Sequence, residues 1–447
     1  MTSIVELDPL LARAETLLAA ARRAGADAAD TVVVRGISSG VEVRAGRVED
    51  TERSEGDDLG LRVFVGRRTA TVSGNAILDP DRLAERAVAM ARVSPEDAFA
   101  GLADPALLAT EFPDLDLCDP GEPTAEALVE EALALEEAAL AVPGVTTPGG
   151  ASASHGLTGF VLATSTGFRG TMTVTRHTRY ATAIAGSGTG MERDFWGASK
   201  THAGDLPDLA EIGRIAGERA VRRLNPRQVP TTRTTVWYEP RAAAGLVGHL
   251  LGAINGASIA RGTSFLRNRM GHKLFRDGIH IVDDPLKARG LGSRPFDGEG
   301  VASRPLTLVE DGVLRSWLLD SATARELGLA TNGRASRGIG GPSPGSTNVT
   351  LAPGSLSAAD LAKTIGTGFL VTDLIGQGAN LVTGDYSRGA SGFWIENGEI
   401  AFPVSEVTIA GTLEQIFAGM QPADDLDDRF SIAAPSVIVE GLTVAGR

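Results

Sequence analysis

The chain opens with apolar residues at helical spacing. They recur every three or four positions, as on one face of an amphipathic helix: Leu10, Leu11, Ala14, Leu17, Leu18 and Ala21. Asp8 and Pro9 precede this stripe, which favours a helix N-cap followed by proline in the first turn, and Gly25 ends it. The pattern predicts an opening helix with one buried face.

Short apolar and β-branched runs follow, separated by glycine-containing turns. They cover residues 31–35, 40–44, 59–65 and 69–73. In the third run Leu61, Val63 and Val65 alternate with other residues, which is typical of a strand with one buried face. Asp79 and Pro80 then signal a second amphipathic helix. We expect helices packed on an antiparallel sheet in two layers.

The same organisation continues to residue 224. Residues 94–123, rich in Pro, Asp and Ala, are interpreted as a connection, and the spacing of Leu128, Ala132 and Leu135 predicts a third helix. Residues 152–185 favour hairpins and residues 209–224 a helix. We place an N-terminal α+β domain at 1–224, a proline-containing linker at 225–233 and a second domain at 234–447.

The second domain is predicted to be mixed and largely β. Pro240 begins a helix that contains Leu246 and Leu250. Asp311-Gly312 and Asn397-Gly398 each separate two apolar runs, at places where a two-residue hairpin turn requires positive φ. The fold class is therefore α+β, a helix-on-antiparallel-sheet domain followed by a mixed, largely β domain.

Composition and charge exclude several classes of protein. The 447 residues include 42 Lys plus Arg and 56 Asp plus Glu, a net charge of −14, so we expect no nucleic-acid partner. The longest nearly apolar stretch, residues 242–254, is well short of the roughly 20 that span a membrane, so no membrane partner is expected. Cys118 is the single cysteine and the start lacks a signal-peptide pattern, which favours a cytoplasmic location.

Common catalytic motifs are missing from the sequence. The six histidines form no H-x-x-x-H or H-E-x-x-H pair, and no nucleophile elbow or phosphate-binding glycine loop occurs. We interpret His249 as a hydrogen-bonded core residue and the basic residues of 261–276 as a solvated or ion-paired face. Residues 338–341 are a glycine-rich loop that either covers a cleft or joins two elements.

The most unusual segment is the glycine-rich stretch 376–404. Glycine there would allow a ligand or a neighbouring chain to approach the backbone closely. The alternative is that the glycines permit bulges in a twisted sheet, with Asp385 paired to Arg388 and Trp394 in the core. On the first interpretation, the residues that face a peptide or a partner are Gly384, Asp385, Tyr386, Ser387, Arg388, Gly389 and Ser391.

This segment also carries a family resemblance. GDYSRGASGFWIENGEI at 384–400 and PVSEVTIAGTLEQIF at 403–417 resemble the C-terminal signature of the TldD/PmbA family, in its TldE (PmbA) branch. Residues 42–66, the linker NPRQVPTT and residues 256–275 resemble the family in the same order, so nearly the whole chain is covered. The family-motif loop within 256–275 consists of Arg261, Gly262, Thr263 and Ser264.

The resemblance implies a division of labour between two subunits. In this family the TldD partner is a zinc peptidase with an H-E-x-x-x-H helix and a distant C-terminal cysteine, and it forms a heterodimer with TldE. Counted back from Arg261, the motif falls on residues 247–252, where Val247, Gly248 and Gly252 replace its functional residues. We therefore expect no catalytic residue, metal ligand or cofactor in this chain, and zinc in a TldD-like partner.

The expected function follows from this resemblance. The chain would position unfolded or leader peptides, bound in extended form through their backbone, while the TldD-like metallopeptidase subunit cleaves; alone it is not expected to be an enzyme. One alternative is a non-enzymatic, homodimeric peptide-binding or scaffold protein. Another is a metal-independent hydrolase that uses residues 385–388, which we favour less because that motif contains no histidine base.

Overall fold

Helices and strands form two α+β halves, as predicted. The computed structural model describes residues 5–75 and 77–446. Its α-helices are α1 Leu7–Ala24, α2 Pro80–Val93, α3 Ala125–Leu140, α4 Leu209–Arg222, α5 Pro240–Ala253, α6 Gly256–Ala260, α7 Ser321–Glu326, α8 Ala358–Lys363 and α9 Leu413–Gly419. None of the helices in the described ranges combines the length and apolar character needed to cross a bilayer.

The strands alternate with these helices along the chain. Those of the first half are β1 Ala28–Arg44, β2 Arg47–Val65, β3 Arg68–Asn75, β4 Val145–Thr164, β5 Arg169–Ala185 and β6 Glu192–Lys200. Those of the second half are β7 Thr232–Tyr238, β8 Ile281–Asp283, β9 Leu306–Glu310, β10 Val313–Leu314, β11 Ala335–Ser336, β12 Ser343–Pro344, β13 Val349–Leu351, β14 Thr367–Ile375, β15 Asp385–Glu396, β16 Glu399–Thr412, β17 Gln421–Pro422, β18 Ile432–Ala433 and β19 Val437–Ala445.

The first half is an antiparallel sheet in the order β3-β2-β1-β4-β5-β6. Helices α1 and α2 pack over one end of the sheet, where they contact Val33, and α3 and α4 pack farther along, where they contact Val41. Val33 and Val41 lie an even number of residues apart on β1 and so point to the same face. Both helix pairs therefore cover one face of the sheet.

The strands of this sheet are longer than we predicted. The predicted break at residues 36–39 is wrong, because β1 runs through Gly36, and the predicted break at 45–58 is confirmed only as a turn at Ala45-Gly46, because β2 includes the exposed polar residues from Arg47 onward. Gly36 stays in the strand because it pairs with Gly56 on one side and with Thr158 on the other. Helix α1 also begins earlier than predicted, with Glu6 rather than Asp8 at the N-cap.

The second half contains a six-stranded sheet in the order β16-β15-β14-β7-β19-β17. Strand β14 runs parallel to β7, and β16 also pairs with β19, which joins two non-neighbouring strands around the apolar core. The predicted tight turns are confirmed, since Asp311-Gly312 and Asn397-Gly398 all have positive φ. The division into domains with a linker at 225–233 stays a prediction.

Buried ion pairs join the two halves at Asp30. This residue of β1 is 1% exposed, and its carboxylate lies 3.0 Å from Nε of Arg62 and 2.7 Å from Nη2 of Arg337 in the second half. Burial raises the pKa of Asp30, but the two guanidinium groups together lower it below its ordinary value. The charge that joins the halves is therefore kept at neutral pH.

The predicted loop 338–341 packs on the first half. A Cβ atom at Gly60 of β2 would lie 1.9 Å from the backbone oxygen of Ile339, so only glycine permits this approach. Phe296 of the second half adds apolar contacts, with ring centroids 5.6 Å from Phe112 and 5.3 Å from Phe168. The two halves thus share an aromatic and an ionic contact.

The pH dependence of stability tests the burial of Asp297, the residue after Phe296. Burial, followed by the charge of Glu299, raises the pKa of Asp297 to about 6 from 3.8. Between pH 3.8 and about pH 6 the folded state binds more protons than the unfolded state. The free energy of unfolding therefore falls as the pH rises, by on the order of 3 kcal/mol. We expect Asp297→Asn to lack this fall when urea unfolding is measured across the window. An unchanged pH profile would contradict the assignment.

Candidate functional site

Helix α5 presents one bare face. Leu246, Val247 and Leu250 are buried in the core of the second half, whereas Gly245 and Gly248 are partly exposed. A Cβ atom at Gly248 would meet no atom within 4 Å. Because these two glycines lie three residues apart, they share a face of the helix and leave open space beside its backbone.

Arg388 of β15 lies against this glycine face. Arg388 has the same parity as Tyr386 and Ala390, which belong to the core that contains α5. Its Nη1 atom lies 3.9 Å from the position that a Cβ atom of Gly245 would take. Nη2 makes one long hydrogen bond, 3.4 Å to the Leu374 carbonyl oxygen, and Nε is buried without a hydrogen bond.

The guanidinium of Arg388 has no counter-ion in the described part of the chain. Neutral groups surround it instead, namely the hydroxyls of Tyr238 and Tyr386 and the imidazole of His249. Both tyrosines are buried, and their hydroxyls, though close to each other, make no regular hydrogen bond. Arg388 is partly exposed, but its Nε atom is removed from water without a hydrogen-bond partner, which is costly, so this arrangement is unusual.

The protonation of these neighbours is set mainly by burial. Burial, together with Tyr386, raises the pKa of Tyr238 well above its ordinary value. Burial also raises the pKa of Tyr386, an effect that Arg388 partly opposes. Burial and, after it, the charge of Arg388 lower the pKa of His249. All three side chains are therefore neutral at neutral pH.

His249 differs in part from the prediction. It is half-buried and its ring meets that of Tyr386 edge to face, with centroids 5.9 Å apart. Its Nε2 lacks the hydrogen bond that we predicted for a core histidine. The helix supplies no partner because the positions four residues before and three residues after His249 on this face are glycines.

The predicted residues 384–391 occupy different environments. Gly384 is buried beside the ring of Phe265, Asp385 and Ser387 are exposed, and Gly389 is partly exposed. Ser391 is buried and accepts a hydrogen bond of 2.8 Å from Nη2 of Arg223 in the first half. Ser391 therefore contacts the other half of the molecule.

The backbone of this segment is largely used within the protein. Strand β15 pairs with β16 along its length and with β14 from Gly389 onward, and the N–H of Ser387 donates to Gly378. Only side chains such as Asp385 and Ser387 remain available to a peptide or partner, and that contact stays a prediction. The expected pairing of Asp385 with Arg388 is wrong, because Asp385 accepts from Thr383; Trp394 lies in the core, as expected.

The family-motif loop anchors the end of α5. Gly262 adopts a φ of 70° after α6, and Arg261 is exposed. Ser264 is buried and donates a 2.6 Å hydrogen bond to the carbonyl oxygen of Ala253, the last residue of α5, while Thr263 donates to Ser258. The next residue, Phe265, donates its N–H to Leu381, so the structure brings the loop and the segment 376–404 together.

The basic stretch after this loop forms ion pairs, as predicted. Arg269 contacts Glu414 at 2.6 Å, and Lys273 pairs with Asp277, four residues later in the sequence. These pairs are exposed and contribute little to stability. They do not form part of the site at α5.

Sequence reasoning missed two buried polar groups. Tyr238 ends β7 and reaches the site because β7 lies beside β14, a pairing that no local pattern indicates. His155 and His177 oppose each other on β4 and β5, with ring centroids 4.7 Å apart. Burial lowers the pKa of both histidines, and no group of three metal-binding side chains occurs in the described residues. Sequence reasoning missed the pairing of the two histidines because it did not predict the full length of β4 and β5.

Comparison with known families defines the class of protein. The sequence matches the PmbA/TldA metallopeptidase domain 1 at residues 29–91, the central domain at 118–224 and the C-terminal domain at 231–446. The chain therefore belongs to the PmbA/TldD family.

Individual relatives match over nearly full length. Metalloprotease PmbA of Escherichia coli O157:H7 is 37% identical over 94% of this chain and 93% of its own. A Metalloprotease PmbA homolog of Haemophilus influenzae is 34% identical over 95% and 94%. The crystal structure of TldE from Thermococcus kodakarensis, 20% identical, covers 97% of this chain and 100% of its own with a TM-score of 0.86, which shows a shared fold.

Two glycines of β15 provide a matched test of how β15 packs beside β14. A Cβ atom at Gly392 would lie 1.9 Å from the carbonyl oxygen of Leu370, whereas at Gly389 the nearest atom is Cβ of Ile375 at 3.4 Å. We expect Gly392→Ala to lower the free energy of unfolding by about 3 kcal/mol. Gly389→Ala should change it by less than about 1 kcal/mol. Equal effects in urea unfolding would show that the β14–β15 spacing described here is incorrect.

Proposed function

We propose that this chain is the TldE-like, non-hydrolytic subunit of a metallopeptidase complex that degrades or trims unfolded peptides. It positions the substrate, and a TldD-like partner holds zinc and cleaves. Family membership and the metalloprotease names of its full-length relatives support the peptidase assignment. The fold shared with TldE agrees with the role of the partner subunit.

The observation that carries the proposal is the set of side chains on α5. A catalytic zinc generally requires three protein ligands, and a carboxylate nearby accepts the proton of the bound water. Val247 is aliphatic and buried, and Gly248 and Gly252 have no side chain to offer. His249 is a single possible ligand, and the neighbouring cation of Arg388 would repel a divalent ion. These residues do not fit a zinc ion, and we derive no step through a metal in this chain.

Substrate handling follows from the shape of the same region. Open space lies beside Gly245 and Gly248, and on the opposite face of the neighbouring strand β15 the side chains of Asp385 and Ser387 are exposed. An extended peptide can bring its backbone close to glycines, whereas a folded domain cannot. This accounts for a preference for unfolded or leader peptides, and the proposal places the complex in the cytoplasm.

The alternatives are less well supported. A hydrolase that uses Ser387 would require a base beside it, but His249 contacts Tyr386, which lies on the opposite side of the strand. A homodimeric peptide-binding or scaffold protein would use the same open face without a partner. Reconstitution separates this possibility from the proposed complex.

The test combines the purified chain with a TldD-like subunit from the same source. We expect no cleavage of an unfolded peptide by this chain alone, and cleavage that is sensitive to a chelator once the partner is added. A partner with Ala in place of its motif glutamate is the control and should bind without cleaving.

Two results would contradict the proposal. Cleavage by the lone chain in the presence of a chelator would show that it is a hydrolase. Full activity of the partner alone, with no co-elution of the two chains, would favour the scaffold interpretation.

A further inference from the structure

Arg388 is a cation without a visible counter-ion. It forms no ion pair within residues 5–75 and 77–446, and its Nε atom is buried without a hydrogen bond. Arg388 is partly exposed, but its charge has no ionic partner, whereas the fully buried Arg334 is paired with Asp283. An anion bound beside the guanidinium would stabilise this charge.

The groups around Arg388 suit one kind of anion. Tyr386 is 1% exposed, and its hydroxyl lies beside the guanidinium without a regular hydrogen bond of its own. A guanidinium binds a planar carboxylate through two parallel hydrogen bonds, and a neutral hydroxyl can donate a third. No carboxylate of the described chain takes this position.

Space for the anion lies on the face of α5. Arg388 Nη1 approaches Gly245, and one turn along the helix the direction of a Cβ atom at Gly248 is open. The missing side chains leave the backbone of α5 open to a ligand beside Arg388. We propose that Arg388, with Tyr386, binds a carboxylate of an extended peptide over Gly245 and Gly248. The identification of the ligand as a peptide rests on the proposed function.

Binding to the lone chain tests this inference. The probes are acetyl-Gly-Ala-Gly-Ala with a free C-terminal carboxylate, the same peptide as its C-terminal amide, and an amide peptide with glutamate in the middle. By calorimetry at constant ionic strength, we expect the free acid to bind about tenfold or more tightly than the plain amide, because one charge-assisted contact is lost. Equal binding of the glutamate peptide would assign the same site to a side-chain carboxylate.

Two variants distinguish binding at this site from general electrostatic attraction between the protein and the peptide. Arg388→Met should abolish the difference between acid and amide, whereas Arg22→Gln, which removes an equal charge from exposed α1, should retain it. Without peptide, Arg388→Met should have a Tm at least as high as the wild type, because it removes a charge without a counter-ion in the described residues and an Nε atom that is buried without a hydrogen bond.

Three results would overturn the inference. The first is equal binding of acid and plain amide by the wild type, and the second is an acid preference that survives in Arg388→Met. The third is a large loss of Tm in that variant, which would show that Arg388 is compensated within the fold. None of these results bears on reconstitution with the partner, so the two proposals can fail separately.

Discussion

The packing of β15 on α5 is the contact that determines the character of the second half. It places a positively charged guanidinium beside Gly245 of α5, the helix on which the family resemblance places the zinc motif. An arginine is charged at every physiological pH, so its neighbourhood excludes a second cation and attracts an anion. The same contact therefore underlies both proposals, hydrolysis by a partner and binding of a peptide carboxylate by this chain.

This arrangement depends on contacts between the two halves. Ser391, three residues along β15 from Arg388, is held by Arg223 of the first half, and Asp30 binds Arg337 of the second. The family-motif loop fixes the other end of α5 through Ser264. Because buried ionic contacts allow few geometries, the helix and strand keep a defined spacing.

Local patterns predicted much of the fold. Helical stripes, Asp-Gly and Asn-Gly turns and alternation in β2 depend on short sequence windows, and they identified the class, helices α1 to α5 and the tight turns, but not the shorter helices α6 to α9. Strand lengths could not be predicted, since Gly36 stays in β1 only because strands on both sides pair with it. Long-range pairing overrides the local preference of glycine for turns.

The site was predictable in outline. The resemblance indicated both the loop 261–264 and the segment 384–391, and Phe265, which follows the loop, lies beside Gly384 and donates to Leu381; the contact of these residues with a peptide or partner stays a prediction. Tyr238 could not be identified, since it reaches Arg388 through the parallel pairing of β7 with β14. The expected ion pair of Asp385 with Arg388 does not form, because the two residues lie an odd number of positions apart and so point to opposite faces of β15.

The most direct test of the central claim is the zinc content of the isolated chain by native mass spectrometry, after incubation with excess zinc and desalting. The account predicts no stoichiometric zinc, in the wild type and in His249→Ala alike. One zinc ion per wild-type chain that is lost in His249→Ala would show that α5 carries a metal site after all.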